Sequence, residues 1–176
     1  MKQFVVSLFL MFIFVATVSA QRWFSDDGGA DMKRSQWGID LGVGKMADVD
    51  GSVGFSGGIR YQYNVHRFLG VDVFGVNYIG QTVRGEGLGP SVLQAMMGLR
   101  GKTPTLYQDI SAYLGLRLGY GHDFYVEEGG LALELNLGIN ITPHLSLGYV
   151  FNMQNLKFEN ASAKYKFNGL RLGFVF

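Results

Sequence analysis

Every second residue from Ile110 to Tyr120 is apolar (Ile110, Ala112, Leu114, Leu116, Leu118, Tyr120). The same holds from Leu131 to Ile141 (Leu131, Leu133, Leu135, Leu137, Ile139, Ile141). Successive side chains of an extended strand point to opposite faces, so a period of two gathers each set on one face of a sheet. A helix would scatter them around its circumference. The intervening residues, among them Gly115, Arg117, Gly119, Glu134, Asn136 and Gly138, give the opposite face a small and polar character. Two such strands in succession commit the chain to a sheet with one apolar and one polar side.

The same alternation predicts six further strands. Trp37, Ile39, Leu41 and Val43 open the series, and Val53, Phe55, Gly57, Ile59, Tyr61 and Tyr63 follow, with Ser52, Ser56, Arg60 and Gln62 on the other face. The third run, Phe68 to Tyr78, changes register between Leu69-Val71-Val73 and Phe74-Val76-Tyr78, which a bulge near Phe74-Gly75 would reconcile. The fourth, Val92 to Gly101, sets Leu93, Ala95, Met97 and Leu99 against Gln94, Gly98 and Arg100, with Met96 as the exception. Leu145 to Met153 and Leu170 to Phe176 supply the seventh and eighth.

Runs of about 8 to 12 residues match the roughly 9 to 11 that a tilted strand needs to cross hydrocarbon. Residues 45–51, 79–91, 121–130 and 155–164 read as long connectors at one end. Residues 64–67 and 142–144 read as tight turns at the other, where 102–109 is longer than that pattern wants.

The N-terminus carries its own signal. Lys2 precedes the apolar or small run Phe4–Val18, and Val18-Ser19-Ala20 provides small residues for cleavage before Gln21, so residues 1–20 read as a secretory signal peptide. Fifteen apolar residues fall short of the ~20 that a membrane-spanning helix requires. Residues 21–36, polar and glycine-bearing around Asp26-Asp27-Gly28-Gly29, read as a flexible periplasmic leader, and residues 37–176 as the barrel. Losing Lys2 lowers Lys+Arg from 15 to 14 against 14 Asp+Glu, so the mature chain is near neutral and no bulk attraction to nucleic acid follows. With no cysteine, the fold has neither disulfides nor thiolate metal sites.

Alternation alone does not tell a lipid-facing apolar surface from the apolar core of a soluble barrel. Composition decides. A soluble barrel would show water many Lys and Glu, whereas the polar face here is Gly, Ser and Asn with isolated charges of both signs: Asp40, Asp72 and Glu134 against Arg60, Arg100, Arg117 and Arg171. Such charges suit a closed lumen in which they neutralise one another. Trp37, Tyr63 and Phe176 near one end, with Tyr78 and Tyr120 near the other, fall where interfacial aromatic girdles form. The expected fold is therefore all-β, an eight-stranded antiparallel up-and-down transmembrane barrel with both termini in the periplasm.

The signal peptide, the eight strands and the closing Gly169-Leu170-Arg171-Leu172-Gly173-Phe174-Val175-Phe176 resemble the small outer-membrane barrels of the OmpA/OmpX-like superfamily. More loosely, Ile59-Arg60-Tyr61-Gln62-Tyr63-Asn64 followed by Arg67-Phe68-Leu69-Gly70-Val71 resembles the second hairpin of the outer membrane protein β-barrel domain group. The resemblance implies a Gram-negative outer-membrane location among lipid and lipopolysaccharide. It also implies delivery by periplasmic chaperones and a C-terminal signal, Leu170, Leu172, Phe174 and Phe176, read by the barrel-assembly machinery. It further implies a monomer whose extracellular loops meet host or surface ligands.

No catalytic residues, metal or cofactor are expected. His144-Leu145-Ser146 with Glu159 has the residue types of barrel lipid A deacylases, but His144 follows Pro143 in a tight turn and Glu159 falls in a loop at the opposite end. Nucleophile, base and orienting group must lie within hydrogen-bond reach. His122, Asp123, Glu127 and Glu128 share a loop that is better read as a solvated acidic surface than as a cation site. Gly85–Pro90 lacks the Lys-Ser/Thr ending of a phosphate loop and reads as surface loop. A non-catalytic structural or surface-interaction barrel is the expectation. The alternatives are a lipid A-modifying enzyme and a narrow solute channel, since eight strands leave room for side chains rather than an open pore.

Overall fold

The computed structural model describes residues 33–46, 53–83, 87–104, 106, 110–124, 127–157 and 162–176. The expected signal peptide and the leader up to residue 32 lie outside them. The strands are β1 (Ser35–Met46), β2 (Val53–His66), β3 (Leu69–Val83), β4 (Gly87–Lys102), β5 (Ser111–Asp123), β6 (Gly129–Asn140), β7 (Leu145–Lys157) and β8 (Ser162–Val175). Each pairs antiparallel with its neighbour in sequence, and β8 returns to β1, closing the barrel. Closure leaves no strand edge unpaired, which is what a sheet immersed in hydrocarbon requires.

The seam is tight. Gly38 to Met46 pair in unbroken register with Val175 to Phe167, and Trp37 and Phe176 exchange two backbone hydrogen bonds, of 3.2 and 2.9 Å. The barrel starts two residues before the expected Trp37, because Asn64 donates to the Arg34 carbonyl from its backbone and to the Lys33 carbonyl from its side chain, both at 2.7 Å. Residues 33–36 are thus held against β2, a correction to the flexible leader over 21–36.

The predicted alternation sets the two faces. Leu114, Leu116, Leu118 and Tyr120 of β5 are exposed, while Tyr113, Gly115, Arg117 and Gly121 in the alternate register are buried. The inside of the barrel is polar and its outside is a belt of Leu, Ile, Val and aromatic side chains, with Leu131 69 % exposed at one margin and Phe176 57 % at the other. Such a contiguous apolar exterior marks a membrane surface in a folded chain. The Trp37 and Tyr61 rings meet at a tilt at the end where Phe176 lies (ring centroids 5.1 Å apart), and Phe55 and Tyr78 approach at 6.0 Å towards the far end. Beyond the belt at the far end the outward positions turn polar at Lys45, His122 and Lys164.

In β3 the pairing with β4 loses register between Asp72 and Gly75, so Leu69, Val71 and Val73 face out, and after the bulge so do Phe74, Val76 and Tyr78. The bulge anticipated near Phe74-Gly75 is present, and it lets two runs of opposite parity share one face. Met96 breaks the fourth run because it points inward, where it is buried.

The expected contrast between long and short connectors is corrected. The far-end connectors shrink to residues 47–52, 84–86, 124–128 and 158–161, while the longest at the terminal end is 103–110. The strands simply continue: β4 has 16 residues, and at ~3.3 Å per residue and ~40° of tilt it climbs about 40 Å, well past an apolar band of ~25 Å. Outside lipid there is no apolar face to keep, so alternation fades although pairing persists. Gly87–Pro90, expected as loop, belongs to β4. Pro90 lies at a second irregularity, where Gly80 pairs with Ser91 and Thr82 with Leu88, so its missing N–H interrupts no regular ladder. At the terminal end, Thr142-Pro143 makes a tight turn in which the Thr142 hydroxyl accepts from the backbone N–H groups of His144 (3.2 Å) and Leu145 (3.0 Å).

Candidate functional site: the charged lumen

The inward positions converge on a hub at Glu134 of β6, which is fully buried. Arg171 grips it with two nitrogens, Nη1 to Oε1 at 2.6 Å and Nη2 to Oε2 at 2.8 Å, the bidentate geometry that suits a guanidinium and a carboxylate. Arg117 donates to Glu134 Oε1 (3.1 Å), Asp72 Oδ2 (2.7 Å) and Asp40 Oδ2 (3.4 Å). Arg60 pairs with the other oxygen of Asp40. Three guanidiniums thus meet three carboxylates in one connected, charge-balanced group drawn from six strands. Paired and bonded in this way, buried charges that would be prohibitive singly become tenable.

Of the seven lumen charges singled out from sequence, Asp40, Arg60, Asp72, Arg117, Glu134 and Arg171 are brought together, and Arg100 is not. Arg100 lies nearer the termini, its guanidinium 3.7 Å from the Tyr113 ring centroid and donating to Asn140 Oδ1 at 3.3 Å. Among the described residues no carboxylate forms an ion pair with it.

Two further sets of inward residues escaped the sequence reading. Asn77, Asn136 and Asn152 donate to Glu134 at 3.5, 3.2 and 3.3 Å, and Gln94 ties Asn152 to Gln154 through bonds of 2.8 to 3.0 Å. These amides share the parity of the charges, and that parity was the signal available. Towards the far end, Met46, Ile79, Val150 and Phe167 form a buried apolar plug inside the barrel. Nothing but strict parity would have separated these from the lipid-facing residues.

The lumen is crowded enough that glycine is required beside the large side chains. A Cβ on Gly98 would come within 2.0 Å of the Leu116 carbonyl and 2.9 Å of Arg117 Cγ, and one on Gly115 within 2.4 Å of Asn136 Oδ1. Beside Asp40 and Arg117 the remaining space is about 10 Å³, room for a single water. Gly98→Val therefore removes the refolded, heat-modifiable band on gels, whereas Leu99→Val, one position along and outward, retains it.

The His144 ring lies 2.8 Å from the Val175 carbonyl at the exposed terminal rim, while buried Ser146 reaches the Gly173 carbonyl at 3.4 Å. Neither bonds the other among the described residues, and Glu159 lies outside them. His122 is exposed against Phe124, whereas Asp123 is buried on the opposite face, so these two do not converge. Among the described residues no three His, Asp or Glu side chains cluster as metal ligands would.

Leu170, Leu172 and Phe174 of β8, and Phe176 directly after it, all point outward and are exposed. They form one apolar stripe beside the β1 seam.

No protein-family model matches the chain, and no curated protein matches it. Solved structures do. Neisserial surface protein A is 16 % identical with a TM-score of 0.59, covering 81 % of this chain and 96 % of its own. A de novo designed transmembrane β-barrel is 14 % identical with a TM-score of 0.52 (82 % and 98 %). Ail, the attachment invasion locus protein of Yersinia pestis, is 17 % identical with a TM-score of 0.50 (82 % and 100 %). The fold is that of the small eight-stranded transmembrane barrels.

Proposed function

We propose that this chain is an integral β-barrel of the Gram-negative outer membrane, non-catalytic, with a structural or surface-interaction role exerted at the rim away from its termini. The filled lumen carries the proposal. Its charges are spent on one another around Glu134, and an apolar plug stands above them, so chemistry directed at other molecules is left to the ends. The apolar belt supports residence among lipid and lipopolysaccharide, and the names of two barrels with this fold, a surface protein and an attachment protein, favour contact with surface ligands. The far rim is built from strand ends and short connectors, with His122 and Phe124 exposed on it.

The test is binding of the refolded barrel, in nanodiscs, to arrays of glycans and extracellular-matrix proteins. Replacing residues 124–128 by glycine and serine lowers the signal at least tenfold. Binding that survives this replacement and equivalent ones at 47–52, 84–86 and 158–161 contradicts a rim-borne role. In planar bilayers the protein shows no stable conductance steps, and nanosiemens steps would instead establish an open channel.

The C-terminal stripe fits a second part of the proposal, recognition by the barrel-assembly machinery. Phe176→Ser lowers the assembled fraction in cells several-fold, while the purified chain still refolds in detergent, because its loss at an exposed rim position removes little packing. Equal failure in both settings would reduce the residue to a part of the lipid face.

A further inference from the structure

The lumen opens at the terminal end into a cavity of about 210 Å³ whose lining includes Gln36, Gln62, Arg100, Lys102, Ser111 and Thr142. Among the described residues no carboxylate side chain lines it. Arg100 and Lys102 occupy inward positions two apart on β4, so two cations share one wall. Deeper in the barrel, Asp40 and Asp72 are engaged by Arg60 and Arg117, in a group whose three positive and three negative charges cancel. Arg100 and Lys102 thus stand outside the balance. Among the described residues neither makes an ion pair.

The guanidinium is also incompletely bonded. Arg100 is 3 % exposed, and its Nε has no hydrogen-bond partner among the described residues, although Tyr113 and Asn140 hold the group in place. A buried cation with an unmet donor is costly unless an anion meets it. The remaining lining supplies neutral donors, the amides of Gln36 and Gln62 and the hydroxyls of Ser111 and Thr142. An anion with several oxygens can accept from several of these at once, and a guanidinium fork matches a phosphate in particular. At ~30 Å³ per water, the volume equals about seven waters, enough for a small oxyanion with residual hydration and too little for a drug-sized ligand.

We propose that this vestibule is a phosphate-binding site, with Arg100 as its buried anchor and Lys102 as its rim cation. Its phosphate comes either from the free ion or from a lipid headgroup at the same rim. The site is independent of any role of the far rim.

The experiment is calorimetric titration of the refolded full chain, in phosphate-free maltoside micelles at low ionic strength, with inorganic phosphate and separately with glycerol 3-phosphate. Saturable binding at one site per barrel is expected, weakened at least tenfold by Arg100→Gln and by Lys102→Gln, and unchanged by Arg67→Gln, which removes an exposed cation at the same end. Heat-modifiable mobility confirms that each variant is folded. Should Arg100→Gln fail to fold, the half-buried Lys102 still decides the matter. Tighter binding of glycerol 3-phosphate assigns the site to a headgroup, and tighter inorganic phosphate assigns it to the free ion. Absence of saturable binding, as would follow if a carboxylate of the chain itself neutralised the pair, overturns the proposal, and so does an equal loss with Arg67→Gln.

Discussion

Glu134→Gln lowers the unfolding free energy of the refolded barrel by about 3–5 kcal/mol, the range seen when one member of a buried ion pair is removed and its partners are stranded. The magnitude follows from what Glu134 holds. Both terminal nitrogens of Arg171, one of Arg117, and the amides of Asn77, Asn136 and Asn152 all donate to its carboxylate. A glutamine keeps the shape but presents one acceptor oxygen and an NH₂ that faces donors. It also leaves three guanidiniums against two carboxylates. Removing Arg171 as well, in the double variant Glu134→Gln/Arg171→Gln, restores the balance, so the double variant is less destabilised than the two single losses summed. Urea unfolding in lipid vesicles, followed by the fluorescence of Trp37, measures this. A loss below about 1 kcal/mol, the scale of solvent-screened pairs, would mean that water reaches the network.

Leu116→Arg is the second large effect, and it acts on the opposite face. Leu116 is 47 % exposed, pairs with Leu99 and Leu135, and lies midway along the apolar run of β5. A lipid-facing arginine at mid-depth costs roughly 2–4 kcal/mol, falling to about 0–1 near the interface. Leu131→Arg, at the margin of the belt, therefore costs little. The depth dependence is diagnostic, since an exterior bathed in water would tolerate both substitutions equally and gain solubility from them.

The adjacent Arg117 shows why the barrel was legible. Moving one residue along β5 passes from a position where a cation is expelled to one where it is required, and only a strand with two environments produces that contrast. Periodicity located all eight strands because each borders lipid on one side through most of its length. It failed where the lipid ends. Residues 79–83 and 87–91 belong to β3 and β4, yet their sequence does not alternate, so periodicity predicts a connector there. The β3 bulge was legible because both flanking segments keep their alternation and only their phase changes.

The charged lumen was legible in part for a related reason. An isolated charge on the small-residue face announces itself, so all members of the Glu134 group were identifiable. Their partners were not, since pairing depends on strand tilt and stagger around the closed barrel. Arg117 and Asp40 are 77 residues apart in sequence and meet only through closure. Arg100 carries the same sequence signature and stands apart because it sits one layer nearer the mouth. The amides around Glu134 and the plug of Met46, Ile79 and Phe167 went unnoticed because Asn and Gln are unremarkable on a polar face, and buried Met and Phe look like belt residues displaced by one position.

The absence of cysteine makes the central claim directly measurable. Single cysteines at the outward positions 114, 116, 118 and 122 of β5, spin-labelled in the refolded protein and reconstituted in liposomes, report their surroundings by collision with oxygen, which concentrates in lipid, or with a water-soluble nickel chelate. High oxygen and low nickel accessibility at 114, 116 and 118, with high nickel accessibility at 122 beyond the apolar belt, is the predicted result. High nickel accessibility at 114, 116 and 118 would place that face in water and contradict a membrane-spanning barrel.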